Sequence, residues 1–202
     1  MEAFQLDSRS ADLRARIIDG AYDLMSRRGV RDVTLAEVAE RAGVALEDLT
    51  LEFSTHDAVV VAVLEAREQR WTVERVEAGA LAAGGTPEQQ LLGIFDVFDE
   101  WFNDDEFDGC TFINVLLEVG WAHPLGQASI MHLSNIRTMV ARLAKEAGIR
   151  DADEFALSWH ILMKGSILSA AEGDGNAAQR ARTMATALIA AFRATPGAQP
   201  AM

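Results

Sequence analysis

Lysine is almost missing from this sequence of 202 residues. Only Lys145 and Lys164 occur, and Lys plus Arg total 18 against 31 Asp plus Glu, a formal net charge of −13. A phosphate-binding surface gathers positive charge, because displaced counterions drive nucleic-acid affinity. The deficit excludes a broad nucleic-acid footprint and leaves room for a small, local one. Cysteine is scarcer still: Cys110 stands alone, so no internal disulfide can form, and a reducing, cytoplasmic setting is expected. The longest unbroken apolar run is Ala58 to Leu64, seven residues, far short of the ~20 a membrane span needs. The first residues, Met-Glu-Ala-Phe-Gln-Leu-Asp, lack the basic-then-apolar pattern of a secretion signal.

What remains is globular in composition, half apolar and a quarter charged, with room for a real core. Its periodicity is helical almost throughout. Leu13, Ile17, Ala21, Leu24 and Met25 recur at steps of three and four, which predicts an amphipathic helix over about 9–28. Gly29 stops it. Thr34 and Glu37 form a Thr-x-x-Glu capping box for a short helix that Gly43 ends. A third short segment covers 45–52, and Ser54 or Thr55 caps a long helix to about Glu77. Residues 79–86 read as the first real loop. Thr86-Pro87 opens the next helix, and helices over about 110–121, to 147, to 172 and over 177–193 follow. Val59-Val60-Val61 is β-branched, yet it lies within a helix-period frame. The expected fold is all-α, about nine helices: residues 9–54 as a three-helix module, 55–194 as a bundle, and 195–202 as a loose tail.

Helix, glycine turn and short helix is the plan of a helix-turn-helix, whose second helix lies in a major groove. Ala39 is small enough for two helices to cross closely, and Gly43 can take a positive φ. The run Thr34-Leu35-Ala36-Glu37-Val38-Ala39-Glu40-Arg41-Ala42-Gly43-Val44 resembles the N-terminal module of TetR-type transcriptional regulators. So do the Ile17, Ala21, Leu24, Gly29-Val30 and Val33-Thr34 spacing before it and Phe53-Ser54-Thr55-His56-Asp57-Ala58 after it. The resemblance implies a homodimeric, all-helical regulator, a repressor or activator, that binds double-stranded operator DNA and is released by a small effector. It also implies that Thr34 contacts a phosphate and that residues 45–51 form the recognition helix. Asp108 to Asn114, with Glu118 and His123-Pro124, is similar to a Gly-Cys…Asn…Glu…His-Pro run of one TetR-like subgroup.

The chain departs from that pattern in charge. Thr50 stands where a tyrosine is usual, and His56 where a lysine is. The recognition segment Ala-Leu-Glu-Asp-Leu-Thr-Leu-Glu carries three acids and no base, and residues 1–57 hold 12 acids and 7 arginines, a net of −5. A carboxylate ~3–5 Å from a phosphate costs on the order of 1–4 kcal/mol in an intermediate dielectric. Glu47 or Asp48 can instead accept from a cytosine amino group. Two readings follow: operator binding, or a TetR-fold effector-binding or protein-interaction dimer whose DNA binding is weakened or lost. The cations available to clamp phosphates are Arg9, Arg14, Arg16 and Arg31, although helical pairs such as Asp12–Arg16 would occupy them equally well. With Thr34, Ala45, Glu47, Asp48, Thr50 and His56 they complete the candidate DNA-binding set.

Phe95, Phe98, Trp101, Phe102, Phe112, Trp121, Trp159 and Met163 make either a bundle core or a cavity for a small apolar or aromatic effector. Asn114 and His160 are candidate polar anchors among them. Small and aliphatic faces over 156–171 and 177–192 suit helix pairing across a twofold axis. No catalytic, metal or cofactor role is expected. Cys110 is single, His56, His123, His132 and His160 lack metal-ligand spacing, and Gly173-Asp174-Gly175 follows a helix rather than a strand.

Overall fold

The computed structural model describes residues 2–193, with side chains from residue 10 onward; the expected loose tail at 195–202 lies outside the described residues. Every regular element among them is helical: α1 (Glu2–Arg28), α2 (Leu35–Ala42), α3 (Leu46–Glu52), α4 (His56–Arg67), a π-helical stretch (Glu68–Glu77), α5 (Ala78–Ala82), α6 (Pro87–Phe102), α7 (Thr111–Val119), α8 (Pro124–Glu146), α9 (Ala152–Ala171) and α10 (Ala177–Arg193). The stretch 56–82 runs on without a break, so these elements amount to nine rods. None is long and apolar enough to cross a membrane.

Two boundaries and one stretch of winding differ from the sequence expectation. The first helix begins at Glu2 rather than near Arg9. The loop expected over 79–86 shrinks, because Ala78, Ala80 and Ala82 favour helix strongly enough to carry it past Gly79. The connector is π-wound over ten residues, turning Trp71, Thr72 and Val76 inward. Such winding is rare and conveys no periodicity that a 3.6-residue reading can detect.

The described residues divide into two compact units, 2–69 with 110–132, and 70–109 with 133–193. The unit holding the helix-turn-helix is therefore larger than the expected 9–54 module, since it takes in α4, α7 and the first turns of α8. In its core Ile17, Ala21 and Met25 of α1 are buried, as are Val38 and Ala39 of α2 and Val59 to Leu64 of α4, apart from Val61. Helix α1 packs on α2 and α4, and α4 packs on α7. Buried His132 stacks on Phe112 with ring centroids 5.0 Å apart, and its Nδ1 lies 3.2 Å from the Glu68 carboxylate.

The second unit is built on α6, α9 and α10. Trp71 meets Trp101 at 4.3 Å and Phe95 meets Trp159 at 5.3 Å, with Phe98, Phe102 and Phe155 filling the space around them. Aromatic pairs of this kind contribute beyond their buried area. His160 is buried in this unit, and burial, with the charges of Lys164 and Arg137, pushes its pKa from 6.5 to about 4. The imidazole is therefore neutral in the fold. Below pH 6.5 the unfolded chain takes up a proton that the folded one refuses, so stability is full above that value and is lost between pH 6.5 and 4. The loss is on the order of 3 kcal/mol. Melting curves across this range should fall more steeply for the native chain than for His160→Leu.

Candidate nucleic-acid interface

Helix α2 starts in a complete capping box. The Thr34 hydroxyl accepts from the Glu37 amide at 3.3 Å, and the Glu37 carboxylate accepts from the Thr34 amide at 2.8 Å. The Arg28 guanidinium first, then the Thr34 amide and hydroxyl, hold the Glu37 carboxyl at about 2. Gly43 takes φ 64, and the Val44 amide reaches back to the Ala39 carbonyl at 3.0 Å, closing the helix in a Schellman turn. The chain then enters α3, a seven-residue rod with only Leu49 buried. Everything else it carries, apart from half-buried Glu52, faces outward: Leu46, Glu47, Asp48, Thr50 and Leu51, after exposed Ala45 at the N-cap. The Thr50 hydroxyl donates back to the Glu47 carbonyl at 3.0 Å. Glu47 and Asp48 have no ion-pair partner among the described residues.

The arginines are arranged differently from a free basic collar. Arg14 donates to Glu52 at 2.8 Å and lies 4.6 Å over the Phe53 ring. Arg16 donates to the Ala42 and Gly43 carbonyls at 2.7 and 2.6 Å, holding the turn between α2 and α3. Both were expected as phosphate clamps, and both bind their own domain, because α1 runs close beside the end of α2 and the end of α3. Arg28 pairs with Glu37, while Arg27 and Arg41 share Asp23. Arg31 is exposed and unpaired among the described residues. The Arg9 side chain lies outside the described ones. Thr34 is committed to its cap, which still leaves it at the surface.

His56, a candidate for DNA contact, is half-buried, its side chain 31% exposed. Its Nε2 is buried without a hydrogen-bond partner, and the ring lines a cleft of about 190 Å³ with Val30, Arg31, Asp57, Val119 and His123. The reason is positional: His56 opens α4, which packs on α7. At the rim of this cleft lies a contact that the sequence left open. The Glu118 carboxylate of α7 accepts from the Val30 amide at 2.9 Å and the Arg31 amide at 2.7 Å. Gly29 permits it. It sits at φ 85, and a Cβ there would meet the Glu118 carboxylate at 2.8 Å. The loop before the capping box is thus held by α7.

The candidate effector residues separate. Phe95, Phe98, Trp101, Phe102, Trp159, His160 and Met163 are buried in the second unit. The Trp159 indole N–H is buried with no acceptor. Phe112, Asn114 and Trp121 belong to the first unit. Trp121 is 74% exposed and Asn114 is exposed as well, so neither joins the aromatic cluster. Trp121 falls just beyond α7, which Gly120 ends at φ 86, and Asn114 lies on that short helix's outer side. On α9, Leu157, Ile161 and Leu168 form an exposed stripe, with Met184 exposed on α10. Gly165, in the same stripe, has nothing within 4 Å of where a Cβ would stand. Ala156 and Met163, which the sequence offered for pairing, are buried instead.

An all-helical chain whose capped α2, glycine turn and exposed α3 stand as a helix-turn-helix defines a class of DNA-binding regulator. The class narrows by comparison. Residues 17–63 match the family model for bacterial regulatory proteins of the tetR family. The chain has the fold of a TetR-family transcriptional regulator, with that family's DNA-binding domain at 17–63. A TetR-family transcriptional regulator from Streptomyces coelicolor, SCO4454, is 20% identical with a TM-score of 0.82, covering 91% of this chain and 97% of its own. A TetR-family regulator from Cytophaga hutchinsonii is 19% identical at TM-score 0.77, covering 93% and 98%. The multidrug-binding protein EbrR, solved with malachite green, is 22% identical at TM-score 0.65, covering 87% and 96%. No curated protein matches the chain.

Proposed function

We propose that the protein is a transcriptional regulator, a repressor, that binds operator DNA as a homodimer and releases it when a small apolar or aromatic effector binds. The observation that carries this reading is α3 itself: anchored by one leucine, it presents its whole outer face to solvent at the position where a helix-turn-helix reads bases. The exposed α9 stripe of Leu157, Ile161 and Leu168 supports pairing of two copies, since a contiguous apolar face on a monomer marks an interaction site. The aromatic cluster around Trp159, whose buried N–H has no hydrogen-bond partner, supports an effector site in the second unit, and EbrR, a neighbour in fold, is solved with malachite green. Glu118 gives α7 a direct hold on the loop beneath α2, so a shift of α7 moves the reading module. The effector then favours a state whose half-site spacing no longer fits one DNA turn, roughly 34–36 Å.

The engaged arginines and the two carboxylates on α3 favour a second reading, a dimer that uses this face on a protein partner. Titrating salt against binding to the DNA upstream of its own gene separates the two. Operator binding gives a specific complex at low salt with a shallow slope of log K against log[salt], about −2 to −4 for one or two free arginines per protomer. Absence of any specific complex at low salt contradicts it. On bound DNA, Arg31→Ala should weaken all sequences alike, whereas Glu47→Ala should alter preference at one base pair. Uniform tightening by Glu47→Ala would mean that its carboxylate merely repels phosphate.

A further inference from the structure

Three leucines lie on α3, and the seven-residue rod buries only one. Leu49 is fully enclosed, but Leu51 is 85% exposed and Leu46 is 41% exposed. Leu51 follows Glu47 by four residues and Asp48 by three, so the three side chains share one face of the helix. Leu51 stands at the middle of that face, directly opposite the buried Leu49. A solitary exposed leucine needs no explanation elsewhere on a surface. Here it occupies the centre of the rod that the proposed function places against base edges.

The donor inventory of this face is lopsided. It has no arginine, lysine, asparagine or glutamine, so it cannot make the bidentate contacts that read guanine or adenine. It has two carboxylates, which only accept when ionised, a threonine hydroxyl already turned to the Glu47 carbonyl, and apolar Leu51. In the major groove the matching groups are the thymine 5-methyl group and the cytosine N4 amino group; the adenine N6 amino group also donates, but the N7 acceptor beside it repels a carboxylate. The first two belong to pyrimidines and lie at neighbouring positions on the pyrimidine edge.

We infer that Leu51 is a specificity-determining residue that packs on a thymine methyl, with Glu47 and Asp48 accepting from cytosine amino groups beside it. Each half-site then presents a pyrimidine-rich run of one strand to α3. The inference rests on the DNA-binding reading above and adds to it the chemical class of base that is read.

The test uses the full-length protein and duplexes recovered by it from a random-sequence pool. Replacing thymine by deoxyuracil at single positions removes one methyl and leaves base pairing intact. Burial of one methyl-sized group corresponds to about a fourfold change in affinity. The expected result is that loss at one or two thymines per half-site, and its disappearance in Leu51→Ala, which binds thymine and uracil duplexes alike. Glu47→Ala should keep the methyl discrimination and lose the cytosine preference at one position, leaving the one that Asp48 reads. Leu51 is so exposed that its truncation leaves folding intact, which circular dichroism checks. Equal binding of thymine and uracil duplexes by the native chain overturns the inference while leaving DNA binding standing, as does persistence of the discrimination in Leu51→Ala. Failure to enrich any duplex overturns the DNA-binding reading and this inference with it.

Discussion

Glu118→Ala should destabilise the first compact unit by about 2 kcal/mol and free the amides of Val30 and Arg31 to exchange with solvent. The carboxylate makes two hydrogen bonds to backbone N–H groups, at 2.9 and 2.7 Å. A bond to a charged acceptor contributes about 1.5–3 kcal/mol. The Arg31 amide is open to water once the carboxylate is gone, so the pair sums to the lower end of that range. Glu118→Gln keeps one acceptor oxygen and should lose roughly half as much. Hydrogen exchange followed by NMR reads the two amides directly, and a thermal melt reads the stability. Unchanged protection at Val30 and Arg31 in Glu118→Ala would show that α7 has no hold on this loop. Gly29→Ala should phenocopy the loss, because it both strains a φ of 85 and drives a Cβ into the same carboxylate.

Ile161→Asp should convert the proposed homodimer to a monomer without unfolding the chain. Ile161 is 67% exposed in the single chain, so its own fold loses little, as surface substitutions usually do. In a twofold interface the residue appears twice, and each copy would carry an unpaired carboxylate into an apolar seam. Breaking such a seam costs about 2–5 kcal/mol per buried charge, enough to raise the dimer dissociation constant by several orders of magnitude. Sedimentation equilibrium should give twice the 22.0 kDa chain mass for the native protein and a single chain mass for the variant, and DNA binding should fall with it. A variant that stays at the dimer mass would place the interface elsewhere.

The parts of this architecture that were legible in the sequence are those written in local chemistry. Thr34 and Glu37 lie three residues apart and specify their capping box without help from the rest of the chain. Gly29 and Gly43 mark helix ends because the chain needs positive φ there. The rest depends on partners distant in sequence. Glu118 is 88 residues from Val30, and no periodicity announces that pair. Arg14 and Glu52 are 38 apart, so an arginine near the start of α1 reads as a free cation until the helices are packed. On short α7 the helical phase puts Asn114 on the wet side, and Gly120 ends the helix before exposed Trp121. Leu46, Leu49 and Leu51 look equivalent in sequence; only the direction of α3 against α2 decides that Leu49 goes in and Leu51 goes out.

Hydroxyl-radical footprinting of the full-length protein on the DNA upstream of its own gene tests the central claim most directly. Two α3 rods of one dimer in successive major grooves predict two protected segments about one helical turn, ~10 base pairs, apart, lost together in Ile161→Asp. Uniform cleavage across that DNA at saturating protein and low salt would contradict the claim and leave α3 as a surface for a protein.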